Sequence, residues 1–145
     1  MEFSTTINHS SCDEVALFLS RNAEAFNPPF NQSVDIEAYA QKLTSHAIRF
    51  EVRNGGRLVA LCSAYINVDN SIAYVPYICV EEAYKGEHLG QRLFEQLEQY
   101  CSLNHIARID LEVRRSNTHA LSFYNRLGFV PQSETEEKLQ LTKIL

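Results

Sequence analysis

Basic residues are in short supply. Thirteen Lys and Arg stand against eighteen Asp and Glu in 145 residues, a formal net charge of -5, which is wrong for a protein whose main partner is a phosphate backbone. Nucleic acid is therefore not an expected partner. The four cysteines, Cys12, Cys62, Cys79 and Cys101, lie far apart with no CxxC pair, a spacing that suits reduced, buried thiols better than a zinc site or a disulfide framework. HExxH and clustered Cys/His spacings are also missing, so no catalytic metal is expected. The first twenty residues, MEFSTTINHSSCDEVALFLS, have no basic n-region, and polar residues interrupt their apolar ones. Neither a signal peptide nor a membrane span is predicted, and a cytoplasmic protein is expected.

What is present is enough for a core: 45% of the residues are hydrophobic, and the length predicts one domain over 1–145. A β-favouring run from Phe3 to Ile7 precedes SCDE, where Ser11 and Glu14 have capping-box spacing and open a helix expected to reach Phe26. Pro28 and Pro29 in NPPF must break it, and Ser33 is expected to cap a second helix over VDIEAYAQKLTSHA. The period then changes to alternating β-branched and aromatic residues punctuated by NGG and DN, which predicts three antiparallel strands near 48–53, 57–68 and 71–80. Leu89, Leu93, Phe94, Leu97, Tyr100 and Cys101 form a stripe at helical spacing. ARIDLEV reads as a strand, NTHALSFYNRLG as a short helix closed by Gly128, and FVP and KLQLTKIL as the last two strands. The order β-α-α-β-β-β-α-β-α-β-β predicts a mixed α/β (α+β) fold, with KLQLTKIL as an edge strand able to pair with a second copy; monomer and homodimer both stay open.

Glycine is scarce, five in all, yet Gly86 and Gly90 stand four apart in KGEHLG at the mouth of the long helix. Bared N–H groups at a helix N-terminus, aided by the dipole, make an anion site. On this reading Gly86 lets the loop curl and Gly90 removes a Cβ that would obstruct a phosphate. The alternative is that Gly86 only turns the chain and Gly90 packs closely against a neighbour. Glu81, Glu82 and Glu87 oppose an anion here, with Lys85 and Arg92 compensating in part.

Downstream, Asn117, Ala120, Phe123, Tyr124, Gly128 and Phe129 spell NxxAxxFYxxxGF. With KGEHLG before it on the right elements, the chain resembles the GCN5-related N-acetyltransferase family over essentially its whole length. That resemblance implies a splayed central sheet, and a loop of the form Arg/Gln-x-x-Gly-x-Gly/Ala that holds the pyrophosphate of acetyl-CoA. Lys85, His88 and Gly90 occupy the three marked places, so Lys85 replaces the usual Arg or Gln, and His88 the usual middle glycine. It also implies that Lys85, Gly86, Glu87, His88, Leu89, Gly90 and Gln91 hold the cofactor, that the main chain of Ile78, Cys79 and Val80 binds the pantetheine arm, and that Asn117 contacts coenzyme A while capping its helix. Tyr124 is implied as donor of a proton to the departing thiolate; its other reading is a core ring with a wet hydroxyl.

The resemblance implies direct attack of an amine on the thioester of acetyl-CoA. Pro76 fits a bulge in the fourth strand or else a sheet edge. No base is evident: Tyr74 stands where some relatives carry a carboxylate, and Glu51, Glu112, His46 and His119 are candidates by chemistry, each more often a solvated residue. The expected function is acetyl transfer to a primary amine of a small molecule or protein. The alternative is a weak or inactive acyl-CoA-binding module. The acceptor pocket is expected between the first two helices, their AFNPPF corner and the last strands, with Phe26, Phe30, Tyr39 and Tyr77 as walls.

Overall fold

Turn chemistry organises the middle of the chain. Gly55 and Gly56 both have positive φ, 59° and 84°, the backbone that a two-residue hairpin turn demands and that glycine adopts most cheaply. They join β2 (Ile48–Asn54) to β3 (Arg57–Asn67), and a turn at 68–71 joins β3 to β4 (Ile72–Val80). The computed structural model describes residues 2–145. Around this meander lie β1 (Phe3–Ile7), α1 (Cys12–Arg21), the single turn α2 (Phe30–Ser33), α3 (Ile36–His46), α4 (Leu89–Leu103), β5 (Arg108–Arg114), α5 (Thr118–Arg126), β6 (Val130–Glu134) and β7 (Lys138–Ile144). The expected mixed α/β order is present, with α2 as an addition.

Ser11 caps α1 by accepting the Glu14 N–H at 3.1 Å, as its spacing predicts. The helix stops at Arg21, short of the expected Phe26. There the Asn22 side-chain amide donates to the Phe18 carbonyl at 2.9 Å, satisfying a terminal acceptor that another helical turn would have used. Ser33 does not cap α3. Its hydroxyl turns back to the Phe30 carbonyl at 3.2 Å, and Asp35 accepts the Ala38 N–H instead, also at 3.2 Å.

All seven strands form one sheet in the order β1-β2-β3-β4-β5-β7-β6. Every neighbouring pair is antiparallel except β4 and β5. The expectation that KLQLTKIL forms an edge is wrong. β5 pairs with β7 from Arg108↔Ile144 to Arg114↔Lys138, which places β7 inside the sheet and leaves β6 at the margin. Sequence alone does not fix which strands become neighbours, because that choice is made by tertiary packing.

Each sheet face carries its own core. On one, α4 and α5 bury Leu89, Leu93, Phe94, Leu97 and Tyr124 against Phe50, Val52, Ala60, Cys62, Ala73 and Val75. On the other, α1 and α3 bury Val15, Phe18, Leu19 and Leu43 against Leu58, Leu61, Tyr77 and Cys79. β4 serves both through an irregularity: Ser63 pairs with Tyr77 and Tyr65 with Tyr74, so Val75 and Pro76 together oppose Ala64 alone. The extra residue reverses the strand's alternation. Ala73 and Val75 face α4, whereas Tyr77 and Cys79 face α1 and α3, and Ile78 and Val80 now pack on the α4 side. Pro76, with no N–H to give, sits in this bulge, as its sequence position suggests.

Candidate active site

The site begins where the sheet opens. β4 and β5 pair only from Ile72↔Arg108 to Val75↔Leu111, after which β5 keeps its bonds to β7 and β4 its bonds to β3 as far as Val80↔Ala60. One edge of residues 76–80, which include Ile78, Cys79 and Val80, is therefore left without a strand partner. Unpaired main-chain groups of this kind are templates for another extended chain. The Tyr39 hydroxyl donates to the Pro76 carbonyl at 3.2 Å, tying α3 to the bulge.

β4 leads into the glycine loop. Gly86 has φ +91° with nothing near the place a Cβ would occupy, so backbone conformation, not crowding, calls for glycine there. His88 adopts the left-handed conformation, φ 59° and ψ 29°, which explains how it stands in a place that elsewhere favours glycine: the ring accepts a modest backbone strain and the turn is kept. No side chain caps α4, and Leu89, Gly90 and Gln91 open its first turn. Lys85 and Glu87 are exposed, and Lys85 pairs with Glu82 at 3.1 Å. Glu81 is buried between two arginines, accepting from Arg21 Nε and lying 3.1 Å from Arg57 Nη2. Burial works against its ionisation, but Arg21 and Arg57 outweigh this and hold its pKa below the ordinary value. Two of the three opposing carboxylates are thus already neutralised. This Arg21–Glu81–Arg57 node has no local signature, since its members are 60 and 24 residues apart.

Gly90 has a close neighbour within the chain. A Cβ there would lie 3.0 Å from Phe123 Cζ, so the close approach observed is that of an α5 side chain. The close packing weighed from the sequence as the alternative is present here.

Tyr124 is 8% exposed, its ring enclosed by Phe123, Phe129 and Phe94 at 5.4, 5.7 and 6.0 Å between centroids. Burial, with a smaller contribution from Cys62, pushes the phenol far above its ordinary pKa. It stays protonated throughout the neutral and mildly alkaline range. Tyr124 and Cys62 belong to the same core, against which Ile78 and Val80 of β4 pack. Asn117 caps α5 through the Ala120 N–H at 3.1 Å, which commits its side chain.

The base candidates separate by position. Glu51 is fully buried and accepts from Thr6 Oγ1 at 2.7 Å, from the His9 and Ser10 N–H groups at 3.0 and 2.9 Å, and from the Ser10 hydroxyl. The expectation of a solvated residue fails there. Burial would raise its pKa, but these donors outweigh it and the net shift is downward. His46, at the end of α3, and His119, in the first turn of α5, are exposed. Glu112 follows Leu111, the last β5 residue paired with β4, and so stands at the mouth of the splay. Lys138 lies 2.9 Å from its carboxylate. Tyr74 is nearby: burial, then Glu112 and Asp110, raise its pKa, which makes it a still poorer base.

On the opposite flank, the rings of Phe26, Phe30, Tyr39 and Tyr77, expected as pocket walls, pack against one another. Centroids are 5.2 Å apart for Phe26–Phe30, 5.4 Å for Phe26–Tyr77, 5.1 Å for Phe30–Tyr39 and 5.2 Å for Phe30–Tyr77.

Residues 16–129 match the sequence model of the family described as Acetyltransferase (GNAT). The chain belongs to that family. It is an acetyl-CoA-dependent N-acetyltransferase. Among curated relatives, the ribosomal protein bS18-alanine N-acetyltransferase of Escherichia coli (strain K12) is 26% identical over 79% of this chain and 72% of its own. The N-terminal acetyltransferase B complex catalytic subunit of Arabidopsis thaliana is 27% identical over 87% and 73%. The fold matches the crystal structure of the ribosomal-protein-S18-alanine N-acetyltransferase from Escherichia coli with a TM-score of 0.78 at 22% identity, covering 97% of this chain and 94% of that one. It matches the PaiA N-acetyltransferase of Thermoplasma acidophilum in complex with coenzyme A with a TM-score of 0.77 at 16% identity, covering 98% and 99%. No helix among the described residues is long and apolar enough to cross a membrane.

Proposed function

We propose that this N-acetyltransferase acts on the free α-amine at the N-terminus of a polypeptide, in the cytoplasm, with the thioester held along the unpaired edge of β4. The observation that carries the reading is the four-residue limit of β4–β5 pairing, which frees main-chain groups of residues 76–80 to bond an extended arm and to polarise a carbonyl. The bare first turn of α4 suits the diphosphate, and the main-chain N–H groups of residues 86–91 hold it. His88, Lys85 and Glu87 direct their side chains outward. Asn117 keeps its helix end in place beside the bound donor. The acceptor class rests on the two curated relatives, whose names describe acetylation of an alanine of a ribosomal protein and of protein N-termini.

Two side chains handle protons. Glu112, at the mouth of the splay with its side chain 32% exposed, takes the proton from the attacking amine directly or through water. Tyr124, kept protonated by burial, gives one to the departing thiolate. Tyr124→Phe is expected to lower kcat by about 100-fold while leaving acetyl-CoA affinity within about threefold. Glu112→Gln is expected to lower kcat in the same thiol-release assay.

The deciding experiment follows thiol release with three acceptors: a peptide with a free N-terminus and no lysine, an Nα-blocked peptide carrying one lysine, and a small diamine. Transfer to the first alone supports the proposal. Preference for either of the others sinks the acceptor assignment, and acetyl-CoA binding without release to any acceptor would favour the acyl-CoA-binding module.

A further inference from the structure

We infer that Phe123 is a positioning residue: by resting its ring on the bare backbone of Gly90, it sets the separation between the first turn of α4 and Tyr124. The inference rests on the reading of Tyr124 as proton donor, and extends it to a contact between two helices that share no hydrogen bond among the described residues.

Gly90 is the second residue of α4, in the turn whose amides face the anion. Phe123 is in α5, immediately before Tyr124. The ring tip of Phe123 comes so near Gly90 that an added Cβ would lie 3.0 Å from Cζ and 3.6 Å from both Cε atoms. The ring is partly buried, packed against the core that α4 and α5 share. Phe94, from the next turn of α4, holds it at 6.1 Å, and the Tyr124 ring lies 5.4 Å away. Phe94 also touches Tyr124 and Phe129, so the four rings form one packed cluster. A methyl group at position 90 requires Phe123 to give by a few tenths of an ångström, and on this inference the shift passes to the Tyr124 ring packed against it. Closely packed interiors transmit displacements of this kind, and a misplaced catalytic group costs rate more than affinity.

This account separates cleanly from one in which Gly90 exists to let a phosphate approach. There, a Cβ would weaken acetyl-CoA binding, and nothing done to Phe123 would restore it. Here, a Cβ slows turnover, and a smaller residue at 123 relieves the clash.

The test measures kcat by thiol release and acetyl-CoA Kd by calorimetry for Gly90→Ala, Phe123→Leu, the two combined, and Gly90→Ala in a Tyr124→Phe background. Gly90→Ala is expected to lower kcat about five- to tenfold with Kd within about threefold. The Gly90→Ala, Phe123→Leu pair recovers most of that loss. In the Tyr124→Phe background Gly90→Ala costs little more, because both changes act through one hydroxyl. Wild-type kcat in Gly90→Ala, a loss confined to Kd, or a loss that Phe123→Leu fails to relieve overturns the inference. Should Gly90→Ala not fold, Phe123→Leu alone decides: a lowered kcat at unchanged Kd supports the contact and an unchanged kcat refutes it. Full activity in Tyr124→Phe alone would remove the donor assignment, whereas recovery in the combined variant would still report the Gly90–Phe123 contact.

Discussion

His88 shows how one residue can satisfy a backbone requirement that its side chain resists. Its left-handed conformation costs a non-glycine residue about 1 kcal/mol, and β-branched residues more. His88→Gly is accordingly expected to be neutral or stabilising by up to about 1 kcal/mol in urea denaturation, since glycine's extra unfolded-state freedom offsets part of the relief. His88→Val is expected to destabilise and to weaken acetyl-CoA binding by calorimetry, because it disturbs the turn that presents the α4 amides. Glu51 is a different residue-scale case. It sits at zero exposure among four donors, and Glu51→Ala strands the Thr6 and Ser10 hydroxyls and two N–H groups without an acceptor. A loss of about 3 kcal/mol is expected, measured by denaturant midpoint at constant m-value.

At the scale of elements, the α1–α3 corner is a wall made by ring packing. Tyr77 anchors it at 3% exposure, its hydroxyl buried without an acceptor and with only the weakly bonding Cys79 thiol beside it. Removing an unsatisfied buried group is nearly free, so Tyr77→Phe is expected to hold or raise the thermal midpoint, whereas Phe30→Ala lowers it and raises KM for a peptide acceptor. Most elements were legible because their signals are local: Gly55–Gly56 between two β-branched runs, Ser11 three residues before Glu14, and the apolar stripe of α4. The misreadings lie where several nearby groups compete for one role, or where a strand distant in sequence decides. Arg21 ends α1 because Asn22 turns its amide back, Asp35 displaces Ser33 as a cap, and the place of β7 depends on β5. The motif spacings placed the glycine loop before α4, Asn117 at the cap of α5 and Tyr124 within α5, where the structure has them. Glycine at 90 carried no hint that its neighbour was a phenyl ring.

Across the whole molecule, three carboxylates tie remote parts of the chain together. Glu14 meets Arg53 at 2.7 Å, Glu51 holds the start of α1 to β2, and Glu81 joins α1 to the ends of β3 and β4. All three have pKa values below the ordinary 4.5 in the folded chain. The unfolded chain therefore takes up protons first as pH falls. The stability these groups contribute is complete well above pH 4.5 and is lost as pH drops through the lowered folded values. Chemical denaturation between about pH 7 and pH 3 should show little change from neutrality downward and then a steepening loss as pH falls through the carboxylate range. Glu81→Gln should flatten part of that slope.

The extra residue at Pro76 gives β4 an inverted second half. Excising it would turn over everything from Tyr77 to Val80 at once, driving a phenol and a thiol toward α4 and two aliphatic chains toward the aromatic corner. The strand thus behaves like a sentence whose meaning hangs on one comma, and its length at that point is as fixed as any side chain in the catalytic cleft.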